Sequence, residues 1–300
     1  MQHYIKQDLL DFATSKYNRD IVWISMAKLL DLQIPEAFNA VSTPANHIKE
    51  KYGLVAATQY IIALNSINYL FWRRTANDKI DRYTFGHSVG AIAMGEAFSH
   101  VWGDAPDARN LRHHFSGNDG LDNIFTFFPD IPLPESRLKI LQSIIIGDKL
   151  EYMANNILSK INDGSFDGIS NAWYLAYNFR DAYNDVFLKK AQLTMIEICS
   201  LFNLDASKMN FTVPADYQLP KVLRGMDIFE YNIVLEKTIN SCKFIPAGSD
   251  TELAIRAATI LACELIWKYH GVSIPKLDWW LWSQRNDFHN NYHLTLTTDY

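Results

Sequence analysis

Apolar residues recur at helical spacing through most of the chain, whereas strict alternation of β-branched residues is nearly absent. This pattern predicts an all-α or nearly all-α fold with few or no strands, forming one large domain over residues 1–300. After Pro134, the stretch from Glu135 to Ile161 places Leu138, Leu141, Ile144, Ile145, Leu150, Met153 and Ile157 roughly on one stripe, and Gly147 is the expected break. The clearest helix is predicted from Asp250, in DTELAIRAATILACELIWKY. There Asp250 stands as the N-cap and Leu253, Ala257, Ile260 and Leu261 share a face. Glu252 and Arg256 are one turn apart and Glu264 lies two turns further on, which predicts a buried row of charge. Turn signals stand at Asp163 and Gly164, at Val213 and Pro214, and from Pro246 to Ser249, and a longer loop is expected from Gly103 to Gly120. The last residues, YHLTLTTDY, are expected to be extended and packed back on the helices.

Composition narrows the picture. With 300 residues, 48% of them hydrophobic, the chain can bury a sizeable core and is not disordered. A net charge of −5 opposes binding of long nucleic acid. The basic pairs Arg73 with Arg74 and Lys189 with Lys190 are too short to track a phosphate backbone but suffice for one phosphate, so the expected partner is a small molecule. Cys199, Cys242 and Cys263 sit far apart in apolar stretches, as reduced core thiols do. MQHYIKQDLL has no secretory pattern and no apolar run reaches membrane length, which makes a cytoplasmic protein with no membrane association the expectation. The sequence leaves the oligomeric state open.

Several groups carry candidate chemistry. GHSVG, from Gly86 to Gly90, matches a nucleophile elbow with Ser88 as nucleophile, but it follows TANDKIDRYTF rather than a buried strand of a parallel sheet. A helix entry whose glycines permit close packing explains it better. His289 and His293 have the spacing of a metal pair if helical, and His113 and His114 add imidazoles, yet no motif places an acidic third ligand; no metal is expected. The aromatic groups NYLFW and DWWLW fit a core, and also fit the flat faces between which a heterocycle stacks. Lys189 and Lys190, in NFRDAYNDVFLKKAQL, read alone as part of a solvated helix face. Asp216, in TVPADYQLPKVLRG, reads alone as a cap or turn former.

Taken in order, FRD, KKAQ, ADYQLP, ELAIRAA with CELI, and LDWWLW with the downstream His289 resemble the queuosine salvage protein family. LNSINYLFW at 64–72 looks like that family's asparagine and aromatic segment, and IPLPESRLKIL at 131–141 like its proline and arginine helix. The resemblance covers most of residues 60–300 and leaves 1–59 as a poorly matched helical part. It implies a fold similar to helix-hairpin-helix DNA glycosylases and an N-glycosidase that frees queuine from queuosine 5'-monophosphate or a related 7-deazapurine nucleotide, with no cofactor.

Cleaving an N-glycosyl bond builds positive charge on the sugar and negative charge on the base. The site therefore needs a carboxylate beside the sugar and hydrogen-bond donors around the base. The resemblance assigns Asp216 to the carboxylate and Lys189 or Lys190 to the 5'-phosphate. It places Asn68, Phe71 and Trp72 in the base pocket, Tyr217 beside the carboxylate and Asp181 on the cationic amine of a queuine-type side chain. Gln218 and Lys221 stand where the family pattern ADYRVPQ has arginine and glutamine, which points to altered substrate preference. The alternatives are a non-catalytic protein that sequesters a modified nucleoside and a serine hydrolase acting through Ser88.

Overall fold

The computed structural model describes residues 5–35, 44–77 and 79–300; the first four residues of MQHYIKQDLL lie outside it. In chain order, α1 (Lys6–Lys16), β1 (Val22–Ile24) and α2 (Met26–Leu30) precede the long α3 (Pro44–Ser66). Four short strands follow, β2 (Trp72–Arg74), β3 (Ile80–Arg82), β4 (Thr84–Phe85) and β5 (Ser88–Val89). Next come α4 (Ala91–Trp102), α5 (Arg109–Phe115), α6 (Gly120–Phe127), α7 (Pro134–Ile144), α8 (Lys149–Asn162), α9 (Gly168–Asn178), α10 (Arg180–Tyr183) and α11 (Lys189–Leu201). The chain continues with α12 (Gln218–Gly225), β6 (Phe229–Tyr231), α13 (Ile233–Asn240), α14 (Asp250–His270) and α15 (Ile274–Ser283). Among the described residues the strands form antiparallel pairs, β1 with β6, β2 with β3 and β4 with β5. The mostly helical expectation holds.

The described residues group into two compact units. The first draws on Met1–Ala40, Gly168–Ser170 and Asp205–Thr297, the second on Val41–Asp167, Asn171–Leu204 and Thr298–Tyr300.

In the first unit, α14 is the central rod, with α1, α2, α12 and α15 packed about it. Every residue from Glu252 to Ile260 is buried, so this stretch has no solvent face, and Leu261 is only half-buried. A helix enclosed on all sides needs apolar or paired residues all round, which is why four residues on one face understated its burial. Its N-cap is Ser249, one residue before the expected Asp250: Ser249 is in the extended region and its side chain accepts the Glu252 amide at 3.3 Å. Glu252 and Arg256 form the expected buried pair, 3.4 Å apart, but Glu264 turns away to Lys6 of α1 at 2.9 Å, which ends the row. Phe244 bridges to Leu294 and the Ile245 amide donates to the Leu294 carbonyl, so this part of the C-terminal stretch is tied down as expected.

In the second unit, α3 is the centre and α4, α7, α8 and α11 pack on it. Pro134 opens α7 in the first turn, where its missing N–H has no helical partner to lose. The break expected at Gly147 falls there, with φ 55° between α7 and α8. The loop expected from Gly103 to Gly120 instead contains α5. Its seven residues, RNLRHHF, span too few turns to show a periodicity, yet Leu111 and Phe115 bury one face against the unit. Leu70 donates its amide to the Tyr300 carbonyl, which fixes the chain's last residue.

All three cysteines are free and buried, as expected. No helix among the described residues is long and apolar enough to cross a membrane.

Candidate active site

The first unit holds Asp216 at the end of a buried irregular stretch, Phe211 to Ala215. Arg256 in the core of α14 donates from Nε to the Ala215 carbonyl at 3.1 Å, pinning the backbone one residue ahead of the aspartate. Asp216 Oδ1 accepts the amides of Gln218 at 2.7 Å and Leu219 at 3.1 Å, two of the donors that the first turn of α12 leaves without helical partners. The cap reading is therefore correct as geometry, and it leaves work undone. Oδ2 accepts no hydrogen bond among the described residues, so a carboxylate that is only 8% exposed keeps one oxygen for something else. Tyr217 is buried with its ring 4.8 Å from that of Tyr292. Gln218 is buried as well. Lys221 Nζ donates to the Arg285 carbonyl at 2.8 Å, which gives this departure from the family pattern a structural role.

His293, expected as half of a metal pair, is 1% exposed and lies beside the Arg256 guanidinium. Burial, with that positive charge second, pulls its imidazole down to about 3. His289 lies outside any helix, so the one-turn spacing with His293 does not arise. Among the described residues no cluster of three potential metal ligands occurs. Because His293 is neutral when folded and has an ordinary value of 6.5 when unfolded, the unfolded chain binds the extra proton between those values. Stability from this group is present above about pH 6.5 and falls as pH drops toward its folded value. His293→Gln is expected to lose less melting temperature than the parent between about pH 7 and about pH 5, measured by thermal denaturation.

The second unit separates the two lysines, and neither lies on a solvated face: Lys189 and Lys190 are 7% and 1% exposed. Lys190 Nζ donates to the Ser66 carbonyl at 2.8 Å and sits 4.7 Å from the centre of the Tyr69 ring. Burial pulls its ammonium down to about 7, against the opposing charges of Asp299 and Asp185. Lys189 is the first residue of α11, where Asp185 accepts its amide at 2.7 Å, but its ammonium makes no hydrogen bond among the described residues. Phe71 and Trp72 are buried in the segment that leaves α3, alongside Asn68, which is half-buried. Thus Lys190, Asn68, Phe71 and Trp72 are gathered about one segment. Asp181 is exposed on α10 and pairs with Lys139 at 3.4 Å.

Sequence reasoning marked the helix of Arg137 without giving the arginine a role, and missed Glu197. Arg137, fully buried, donates to the carbonyls of Pro132, Tyr69 and Leu70 and lies 4.2 Å from the Tyr69 ring centre, so it braces the aromatic segment. Glu197 accepts from Asn65 at 2.9 Å, and burial pushes its carboxyl up to about 7. An arginine in a predicted amphipathic helix and a glutamate in another give no local sign of either role.

GHSVG forms a hairpin: Phe85 pairs with Ser88 across a turn holding Gly86, and Gly90 precedes α4, both glycines with positive φ (57° and 67°). Ser88 donates to the Glu96 carboxylate at 2.5 Å, and among the described residues no parallel sheet underlies it. The Ser88 hydroxyl donates to a carboxylate of α4 rather than to an imidazole, which is not the nucleophile and base pair of a serine hydrolase. A fluorophosphonate probe is expected to leave the protein unlabelled, and Ser88→Ala to release base at the parent rate.

This helical chain, with a half-engaged aspartate ahead of a short helix and buried lysines opening another, matches the queuosine salvage protein family model over residues 47–298. The chain belongs to that family. It is 27% identical over 291 aligned residues to a queuosine 5'-phosphate N-glycosylase/hydrolase of Sphaerobacter thermophilus, covering 88% of this chain and 87% of the relative. It is 25% identical over 276 residues to a protein of the same description from Dictyostelium discoideum, covering 84% of this chain and 81% of the relative.

Proposed function

We propose that the chain hydrolyses the N-glycosyl bond of queuosine 5'-phosphate, or of a related 7-deazapurine nucleotide, and releases the free base. The observation that carries the reading is Asp216: a buried carboxylate held rigid through Oδ1, with Oδ2 uncommitted. Such a group stabilises a sugar cation or activates the water that captures it, without first reorganising. Lys189 takes the 5'-phosphate, because Lys190 already donates to the Ser66 carbonyl while the Lys189 ammonium has no hydrogen bond among the described residues. Binding energy from the phosphate then helps to position the sugar. Asn68, Phe71 and Trp72 receive the base, Tyr217 flanks the carboxylate, and Asp181 exchanges Lys139 for the cationic amine of the side chain. A 7-deazapurine has carbon in place of N7, so protonation there is closed to it and donation must reach another edge of the leaving base.

Incubating the purified protein with queuosine 5'-phosphate and measuring free queuine by mass tests the proposal. Release of base at a rate proportional to enzyme is the expected result. Tight binding without product over long incubation would make the chain a sequestering protein, the alternative that Gln218 in place of the family's arginine favours.

A further inference from the structure

In the first unit a cavity of about 660 Å³ opens between the turn after α1, strand β1 and the C-terminal half of α14, a size within the roughly 300–1,000 Å³ of small-molecule sites. Its walls are largely apolar and include the indoles of Trp23 and Trp267, which are 39% and 46% exposed. Both stand on fixed backbone. Trp23 pairs with Glu230 in the β1–β6 ladder, and the Gly271 amide closes the end of α14 on the Trp267 carbonyl at 2.9 Å.

The charges on these walls are unequal. Arg19 lies in the turn that leads into β1, where the Ile21 amide donates to the Asn18 carbonyl at 3.1 Å, and its guanidinium stacks 3.4 Å from the centre of the Trp23 ring. Among the described residues that guanidinium makes no hydrogen bond or ion pair, and neither does the Lys268 ammonium, which also lines the cavity. The acidic residue of the lining, Glu264, is already met by Lys6 at 2.9 Å. The cavity thus offers flat apolar faces and two uncommitted cations, in a chain whose net charge is −5. A guanidinium laid on an indole keeps its N–H groups in the plane, where two of them meet the two oxygens of one carboxylate.

We propose that this cavity is a second small-molecule site, apart from the one that Asp216 serves, and that it takes a flat aromatic ring carrying one carboxylate. The ring lies against the indoles and the carboxylate meets Arg19, with Lys268 adding charge. Arg256, which anchors the backbone beside Asp216, and Trp267 stand about 17 Å apart along α14, so the two sites share one rod without sharing residues.

Calorimetric titration of the full chain with 2-naphthoate, its neutral amide 2-naphthamide and the cationic 2-naphthylmethylammonium tests the proposal. One naphthoate is expected to bind per chain, roughly tenfold more tightly than the amide, the weight of a charge-assisted hydrogen bond, and the ammonium is expected to bind most weakly. Arg19→Gln, an exposed change that leaves the core intact, is expected to bring the naphthoate Kd to that of the amide. Arg19→Lys keeps the charge without the fork and is expected to fall between them. Leu261→Trp, which fills the cavity from α14, is expected to abolish binding of all three, whereas Asp216→Asn binds naphthoate as the parent does. No binding at about millimolar naphthoate, amide or ammonium binding as tight as that of the carboxylate, an unchanged Kd in Arg19→Gln, or loss of binding in Asp216→Asn overturns the proposal.

Discussion

Asp216→Asn is expected to fold with close to parental stability and to lose nearly all base release, by a factor of about 10²–10⁴. The two halves of this expectation have separate causes. Asparagine keeps an oxygen that accepts the Gln218 and Leu219 amides, and it ranks with aspartate as a helix cap, so α12 stays anchored. What disappears is the negative charge, and with it the means to stabilise a cationic sugar or to take a proton from water. Asp216→Ala removes both and is expected to cost a further ~0.5–2 kcal/mol in a denaturant titration. Turnover of Asp216→Asn at the parental rate would sink the assignment of this carboxylate.

Arg256→Met carries the largest expected stability effect, about 3–5 kcal/mol, read from urea denaturation. Arg256 and Glu252 are 1% and 3% exposed, so removing the guanidinium strands a carboxylate in the interior of α14. The same change frees the Ala215 carbonyl and loosens the backbone that aims Asp216. Combining it with Glu252→Gln removes the stranded charge. Stability is then expected to return in part while base release stays low, since nothing restores the Ala215 anchor. Recovery of both together would mean that Arg256 acts on Asp216 only through global stability.

Much of the fold was legible because its signals are local. Pro134 and Gly147 punctuate α7 and α8 within a few residues of where their chemistry acts, and helical spacing marks the long rods. The α14 cap was misplaced by one residue because serine and aspartate are both good caps, and only the extended backbone of Ser249 separates them. For Asp216, the turn was readable and so was its capping role, whereas the spare Oδ2 follows from which amides happen to reach the carboxylate. Glu197 was invisible for a different reason. Its meaning comes from Asn65, 132 positions earlier in the chain, and helical periodicity does not report a partner at that distance. Likewise the two adjacent lysines look equivalent in KKAQ, and only the Ser66 carbonyl and the Tyr69 ring distinguish them.

The buried thiols give each unit its own clock. Cys199 lies in one and Cys242 and Cys263 in the other, and burial pushes Cys199 up to about 12 and Cys263 well above its ordinary value. A thiol reagent attacks only the thiolate, so modification at either of these two positions must wait for the local structure to open. Mass-resolved labelling of the unaltered chain would therefore time the opening of the unit that carries Asp216 separately from that of the unit that carries the lysines, with no engineered probe.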